Sequence, residues 1–422
     1  MKSASKIYSL AGRASLFFYV TCLTVTFIFC FHLLNYTTNI KYSTNAQSNN
    51  QTNTFVQPKE DSKDTCDLFK GRWVQDSRGS LYTNYSCKTI PFLKNCFLYG
   101  RKDTDFLHWR WKPDECELPR FGPGKFLTAL QGKTMAFIGD SLARNQMESL
   151  LCLLSTVETP KQLQKDPEDR FTTWEFPKHN FTLMALWSPF LVSSTEPWRL
   201  VNSSANSAFD LHLDRVDPKW SEKLPLIDYA IFSGAHWFFR PSYLYEGGKL
   251  VGCVHIQDPN VSDLGPGLAI QKAFRTAFQA INDCRNCRKI FSFLRTYSPS
   301  HYENGTWNTG GGCNRTRPVG RDEVVDESGA NWEYRKIQVE EIGIARGAGE
   351  ESGNSFGVLD VTEIMSMRRD GHPGVHTGNK WIKGYNDCLH WCLPGPVDVW
   401  NELLFELIKR QIRVSSESEV RL

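Results

Sequence analysis

The stretch from Lys133 to Met147 limits what this chain can become more than any other. Met135 to Ile138 is an apolar run with β character, broken at Gly139-Asp140-Ser141. Beyond the break, Met147, Leu150, Leu151 and Leu154 recur three and four apart, the spacing of one helix face. The pattern predicts strand, sharp turn and helix with a serine at the turn. A hydroxyl there is held clear of the core, and the unpaired N–H groups and positive end of the helix are available to a developing oxyanion. Asp and Ser are also ordinary helix caps, so the turn alone leaves a purely structural reading open.

The partner motif lies near the other end, in Asn386-Asp387-Cys-Leu-His390-Trp391-Cys392-Leu-Pro-Gly-Pro396. A serine nucleophile needs a base, and the base needs a carboxylate to orient it. An Asp and a His three apart on one tight segment can supply both. A Gly-Asp-Ser near the front and an Asp-x-x-His just before the last helix resemble the arrangement of SGNH/GDSL-type esterases.

The 422 residues suffice for one large catalytic domain or two modest ones, and a net charge of +3 gives no pointer to nucleic acid. Residues 14–34 carry no charge and are long enough to span a bilayer. Lys2, Lys6 and Arg13 precede them, which predicts a cytosolic tail at 1–13 and a luminal chain beyond. A cleaved signal peptide is the rival, but the apolar run exceeds an ordinary signal core and no small-x-small site follows. Residues 35–62 are polar and read as a disordered stem. Asn-x-Ser/Thr acceptors at Asn35, Asn50, Asn84, Asn180, Asn202, Asn260, Asn304 and Asn314 suit a secretory-pathway surface.

Eleven cysteines follow the apolar run, an odd number, so in an oxidising lumen at least one stays free or pairs with another chain. Cys284-x-x-Cys287 has zinc-like spacing, but no matching pair follows, and no metal site is expected. Disulfides at Cys388 and Cys392 would pin His390 between them.

Residues 63–121 are dense in Cys and Trp and read as a small stapled subdomain. Within it, Leu107-His-Trp109-Arg-Trp111-Lys-Pro113 is either packing against the main domain or a sugar platform, and the two are compatible. From residue 122 to the end the pattern is α/β. Strands are expected at Phe181 to Trp187, Ile227 to Ser233, Lys289 to Arg295 and Phe356 to Val361, with helices at Leu268 to Ile281, Tyr334 to Ile344 and Val399 to Ile412. The alternation implies a parallel sheet covered by helices on both faces, with a site beyond the strands' carboxyl ends, where Ser141, Gly234 and Ser298 fall.

Longer motifs carry a more specific resemblance. They are Gly139-Asp-Ser-Leu-Ala-Arg-Asn-Gln146, Arg295-Thr-Tyr-Ser-Pro-Ser-His301 through Trp307-Asn-Thr-Gly-Gly-Gly-Cys313, Asp370-Gly-His-Pro-Gly374 and Asp387 through Pro396. From about Cys66 onward the chain is similar to the plant trichome birefringence-like proteins. The resemblance implies a single-pass type II Golgi membrane protein that O-acetylates cell-wall polysaccharide, with an SGNH-like domain behind a cysteine-rich subdomain. It implies Ser141 as nucleophile, His390 as base and acid, Asp387 as orienting carboxylate, and disulfides Cys66–Cys116, Cys87–Cys152, Cys96–Cys392 and Cys313–Cys388. Cys253, Cys284 and Cys287 stand outside that set.

The usual SGNH oxyanion asparagine is not evident. The Ser141 N–H, Gly234 and Asn145 are the candidate donors, with His236 a candidate stand-in. Arg144, His236, His301, Trp109 and Trp111 are candidate substrate contacts. Arg144 reads first as a fixed partner of the active-site turn, and His372 as a turn residue or a support behind the site. No bound cofactor is expected, since no nucleotide-type loop appears. An acetyl donor of unknown identity is required, and a membrane protein could supply it. By resemblance the acceptor is xyloglucan side-chain galactose, with mannan or xylan as alternatives. An acetylesterase on the same triad, or a polysaccharide-binding protein without catalysis, remain the rival functions.

Overall fold

The computed structural model describes residues 66–195, 208–324, 329–378 and 385–420. All of them belong to one compact unit, Ser62–Leu422. The expected anchor at 14–34, the stem and the acceptors Asn35, Asn50 and Asn202 lie outside the described residues. No helix among the described residues is long and apolar enough to cross a membrane.

In chain order the elements are β1 (Gly71–Gln75), β2 (Trp109–Pro113), α1 (Pro123–Ala129), β3 (Thr134–Gly139), α2 (Ser141–Ser155), β4 (Lys161–Lys165), β5 (Phe171–Phe176), β6 (Phe181–Trp187), β7 (Val192–Thr195), β8 (Phe209–Val216), α3 (Pro218–Ser221), β9 (Tyr229–Ser233), β10 (Ser242–Glu246), β11 (Lys249–Val254), α4 (Gly265–Asn282), β12 (Phe291–Arg295), α5 (Ala330–Ser352), β13 (Ser355–Leu359), α6 (Thr362–Ser366) and α7 (Asp398–Val420). The central sheet runs β13-β12-β9-β3-β6-β5-β4. Its first five strands are parallel.

The all-parallel sheet expected from sequence needs correcting at one edge. β5 and β4 join antiparallel, and a second, four-stranded sheet, β11-β10-β8-β7, lies beside the first. β4 reads Lys-Gln-Leu-Gln-Lys and is exposed at every position, as suits an edge that must not pair with another chain.

β3 shows why its apolar run has no visible alternation. Met135 and Phe137 pack with Leu150, Leu154, Trp400 and Leu404 on one face. Ala136 and Ile138 pack with Phe232, Phe274 and Phe278 on the other. A strand buried on both faces is apolar at consecutive positions. Helices α2 and α7 therefore cover one side, and α4 and α5 the other.

The cysteine-rich segment is fastened to this core. β1 and β2 form an antiparallel ribbon. Disulfides close Cys66–Cys116, tie Cys87 to Cys152 on α2, and tie Cys96 to Cys392. Cys313–Cys388 and Cys284–Cys287 are the remaining pairs, and Cys253 is free and buried. The Cys-x-x-Cys segment is thus a disulfide rather than half of a metal site.

Where α7 packs on α2, burial pushes the Asp398 carboxyl up to about 6 and the Glu402 carboxyl up to about 7. Both are favoured as neutral acids in the fold. Their contribution is therefore full at acid pH and is lost as pH rises through those values. Glu402→Gln keeps an acceptor for the Phe121 N–H (3.3 Å) and removes the charge. It is expected to stabilise the protein at pH 8, on the order of 1–3 kcal/mol, and to change little at pH 5. Paired thermal unfolding curves at the two pH values check this.

Candidate active site

The turn after β3 places the serine. Gly139 sits at φ +148°, and a Cβ there would meet the Ser233 carbonyl oxygen at 1.8 Å. No other residue fits that conformation beside a neighbouring strand. Asp140 caps α2, its Oδ1 accepting from the Leu142 N–H at 3.0 Å. Ser141 is the first residue of the helix, so its hydroxyl and N–H both stand at the helix's positive end.

His390 meets it from the far end of the chain. Its Nε2 lies 2.8 Å from Ser141 Oγ. Its Nδ1 lies 2.9 Å from Asp387 Oδ2. Asp387 Oδ1 accepts from the His390 and Leu389 N–H groups at 2.9 and 3.2 Å. Burial alone would push the Asp387 carboxyl up, but the His390 imidazole and these donors outweigh it and hold it down at about 2. An ionised Asp387 makes Nδ1 the protonated nitrogen, so Nε2 offers its lone pair to the serine hydroxyl.

The His390 main chain is fixed from both sides. His372 Nδ1 donates to the His390 carbonyl at 2.7 Å, and its ring stacks on Trp391. Burial lowers His372 to about 4. It is therefore neutral, its Nε2 is an acceptor, and His301 Nδ1 must be the donor across their 2.7 Å contact. Arg101, from the cysteine-rich segment, donates to the His372 carbonyl at 2.9 Å. On the other side Asn145, one turn after Ser141 on α2, holds both main-chain groups of Trp391: its Oδ1 accepts from the N–H at 2.8 Å and its Nδ2 donates to the carbonyl at 3.3 Å.

Asn145 therefore needs correcting as an oxyanion donor. It is fully buried and both ends of its amide are engaged with Trp391. It is the clamp between the serine helix and the histidine segment. Asn145→Leu keeps the volume and strands two buried main-chain groups. It is expected to cost about 2–4 kcal/mol of stability and to lower kcat at least tenfold, read from unfolding curves and initial rates.

Other sequence candidates move as well. Trp111 is buried, edge-on to Trp73, with its Nε1–H donated to the Leu68 carbonyl. It is core, not a sugar platform. Trp109 lines a recess with Arg78, Arg120, Leu153 and Glu402. Leu153 lies twelve residues along α2 from Ser141, about 18 Å at the helical rise, so the recess reaches the end of α2 away from the serine. Arg144 pairs with Asp169 at 3.6 Å and with Glu148 at 4.0 Å. His301 is taken up by His372 and is not an open cleft contact.

His236 stacks on Tyr297 at 4.4 Å, and burial first, then Arg295, lowers it to about 3. Its Nδ1 lies 3.8 Å from Asp140 Oδ2, so it sits beside the serine turn as a neutral ring. Gly234 follows Ser233, whose register partner is Gly139. That places Gly234 and Ser141 at adjacent strand ends, and the Gly234 carbonyl accepts from Gln338 at 3.1 Å. Directly after Gly234, Ala235 adopts φ +130°, the kind of strain that collects at functional sites. Of the glycan acceptors, Asn180, Asn260, Asn304 and Asn314 are exposed and Asn84 is half-buried.

A family model described as the GDSL/SGNH-like acyl-esterase family found in Pmr5 and Cas1p matches residues 118–407. The chain belongs to this family. A second model, the PMR5 N-terminal domain, matches residues 64–117 of this acyl-esterase family member. Its relatives include xyloglucan O-acetyltransferase 3 of Populus trichocarpa, 52% identical over 93% of this chain and 97% of the relative. Xyloglucan O-acetyltransferase 4 of the same species is 56% identical over 82% of each chain. Xyloglucan O-acetyltransferase 2 of Arabidopsis thaliana is 51% identical over 85% of each. Among the described residues of this acyl-esterase family member, no group of three or more His, Cys, Asp or Glu side chains is placed to hold a metal ion.

Proposed function

We propose that this protein moves an acetyl group through Ser141 onto hydroxyls of xyloglucan, its side-chain galactose first among them. One observation carries the chemistry: Ser141 Oγ at 2.8 Å from His390 Nε2, with Asp387 on the opposite nitrogen. The names of the relatives support the acceptor. His390 takes the serine proton as Oγ attacks the acetyl carbonyl of the donor. The tetrahedral oxyanion is met by the Ser141 N–H, with the Gly234 main chain a further candidate. Collapse leaves acetyl-Ser141, and the proton on His390 goes to the departing group. A sugar hydroxyl then loses its proton to His390, attacks the acetyl carbon, and releases Ser141 with its proton restored.

The uncharged run at 14–34 behind Lys2, Lys6 and Arg13 supports a type II anchor in the Golgi membrane, with the catalytic unit luminal. There a membrane protein could deliver the acetyl donor. On this reading the acetyl donor enters as a substrate, and the triad works without a resident cofactor. Incubating the full chain with 4-nitrophenyl acetate or acetyl-coenzyme A and a panel of deacetylated xyloglucan, glucomannan and xylan tests the reading. Acetylated xyloglucan and acetyl-Ser141 by mass spectrometry are the expected result. Free acetate with no acetylated polymer would instead identify a hydrolase.

A further inference from the structure

Among the described residues Trp307 is the one tryptophan left exposed, at 60%. The loop that carries it is firmly closed. Glu303 and Gly312 exchange N–H···O bonds of 2.7 and 2.9 Å, and the Gly311 N–H bonds the Thr306 carbonyl at 2.9 Å. At its tip the Thr306 N–H donates to Thr309 Oγ1 at 2.7 Å, and at its base Arg315 pairs with Glu303 at 2.9 Å. Gly305 sits at φ +146°, where a Cβ would meet the Gly311 nitrogen at 2.8 Å, so the two arms touch only because both are glycine. A large apolar ring held out by a stiff loop keeps its solvent-facing position at a cost that burial elsewhere would avoid.

The same loop is joined to the segment bearing the triad's acid and base. Asn386, next to Asp387, donates through Nδ2 to the Gly311 carbonyl at 2.9 Å. The Cys313–Cys388 disulfide binds the loop's end to the residue after Asp387. The His301 N–H closes the other side on the Cys388 carbonyl at 2.9 Å. Trp307 stands five residues from Gly312, a reach of at most about 17 Å. Asn308 and Thr309 follow it directly in the chain, are exposed and offer amide and hydroxyl groups.

A flat aromatic face with negative π density fits the positively polarised C–H face of a pyranose, while amides and hydroxyls fit its equatorial hydroxyl groups. We infer that Trp307 forms a subsite for a pyranose unit of the polysaccharide acceptor, flanking the unit whose hydroxyl is presented to Ser141. The subsite rests on the acetyl-transfer reading for its ligand, and its test is separable from it.

Binding is measured first, on the full chain with Ser141→Ala, by affinity electrophoresis in soluble xyloglucan. Adding Trp307→Ala is expected to weaken retention about tenfold, and Trp307→Phe to restore most of it. With Ser141 intact, Trp307→Ala is expected to lower kcat/KM for the polymer about tenfold through KM. Unchanged retention in the Trp307→Ala protein would overturn the subsite. Asn304-Gly-Thr306 is a glycan acceptor in the same loop, so the pair is repeated with Asn304→Gln. If Trp307→Ala then has no effect, the ring serves the protein's own glycan and the subsite is again overturned. Should Ser141→Ala still acetylate polymer, the transfer mechanism falls while the binding result stays readable.

Discussion

Ser141→Ala is expected to abolish acetyl transfer, a loss of at least about 10⁴-fold in kcat, and to leave the fold intact. The size follows from what is removed. Every covalent step passes through Oγ, so what remains is whatever direct attack the oxyanion donors and a positioned acceptor support. His390→Ala should cost nearly as much, and the double variant little more, because the two groups act as one unit joined by the 2.8 Å contact. The fold should tolerate the change. Ser141 is not the residue that caps α2, since that cap belongs to Asp140, and the His390 segment keeps its bonds to Asn145 and His372. The checks are initial rates with xyloglucan, absence of the acetyl-serine peptide in quenched digests, and an unfolding temperature within a few degrees of the parent. A variant that keeps a tenth of the parent rate would sink the acyl-serine route.

The parts of the site that were legible in sequence are those whose chemistry is local. Gly139-Asp140-Ser141 announces itself because a strand must turn sharply into a helix, and only Gly survives φ +148° against the Ser233 carbonyl. Asp387 and His390 are three apart on one segment, so their contact needs no tertiary knowledge. Helix α4 fell near its expected limits because its burial leaves a periodic apolar signature, and strand β6 because burial on both faces leaves a continuous apolar run.

What was illegible depends on contacts made across the chain. Asn145 stood one turn from Ser141, close enough to look like an oxyanion donor, but its real partner is the Trp391 main chain 246 positions away. His372 read as a turn residue or a support behind the site, and only the fold decides for the support, with its Nδ1 on the His390 carbonyl and its Nε2 facing His301. Trp109 and Trp111 are two apart on β2, so they share a face; sequence could not say that Trp111 is covered by the core while Trp109, at the start of the strand, lines a recess. β4 was missed because a short polar strand has no apolar period to read, whereas β8 does carry one, Phe209, Leu211 and Leu213 alternating with polar residues, and it was overlooked.

Asp387→Asn is the sharper experiment, because it changes one atom and its effect can be derived from the hydrogen bonds. Oδ1 accepts from two main-chain N–H groups, those of Leu389 and His390. In the amide that position must remain the carbonyl oxygen, since an NH₂ there would face two donors. The NH₂ therefore takes the place of Oδ2, 2.9 Å from His390 Nδ1. It can only donate, so the closer contact now favours Nδ1 without its hydrogen over the longer 3.1 Å contact with Oδ1, and the proton moves to Nε2. Nε2 then faces Ser141 Oγ as a donor and cannot take the hydroxyl proton. The base is present, correctly placed and in the wrong tautomer. The expected loss is about 10³–10⁴-fold in kcat, with KM for polymer and the affinity of the acceptor subsite little changed, because no group that touches sugar has moved. The imidazole ¹⁵N shifts give an independent readout: protonated Nδ1 in the parent, protonated Nε2 in the variant. If Asp387→Asn retains the parent tautomer and loses activity all the same, the carboxylate acts chiefly by stabilising the imidazolium formed when His390 takes the serine proton. If it retains activity, Asp387 is a structural acid that fixes the segment's main chain and the triad reading fails.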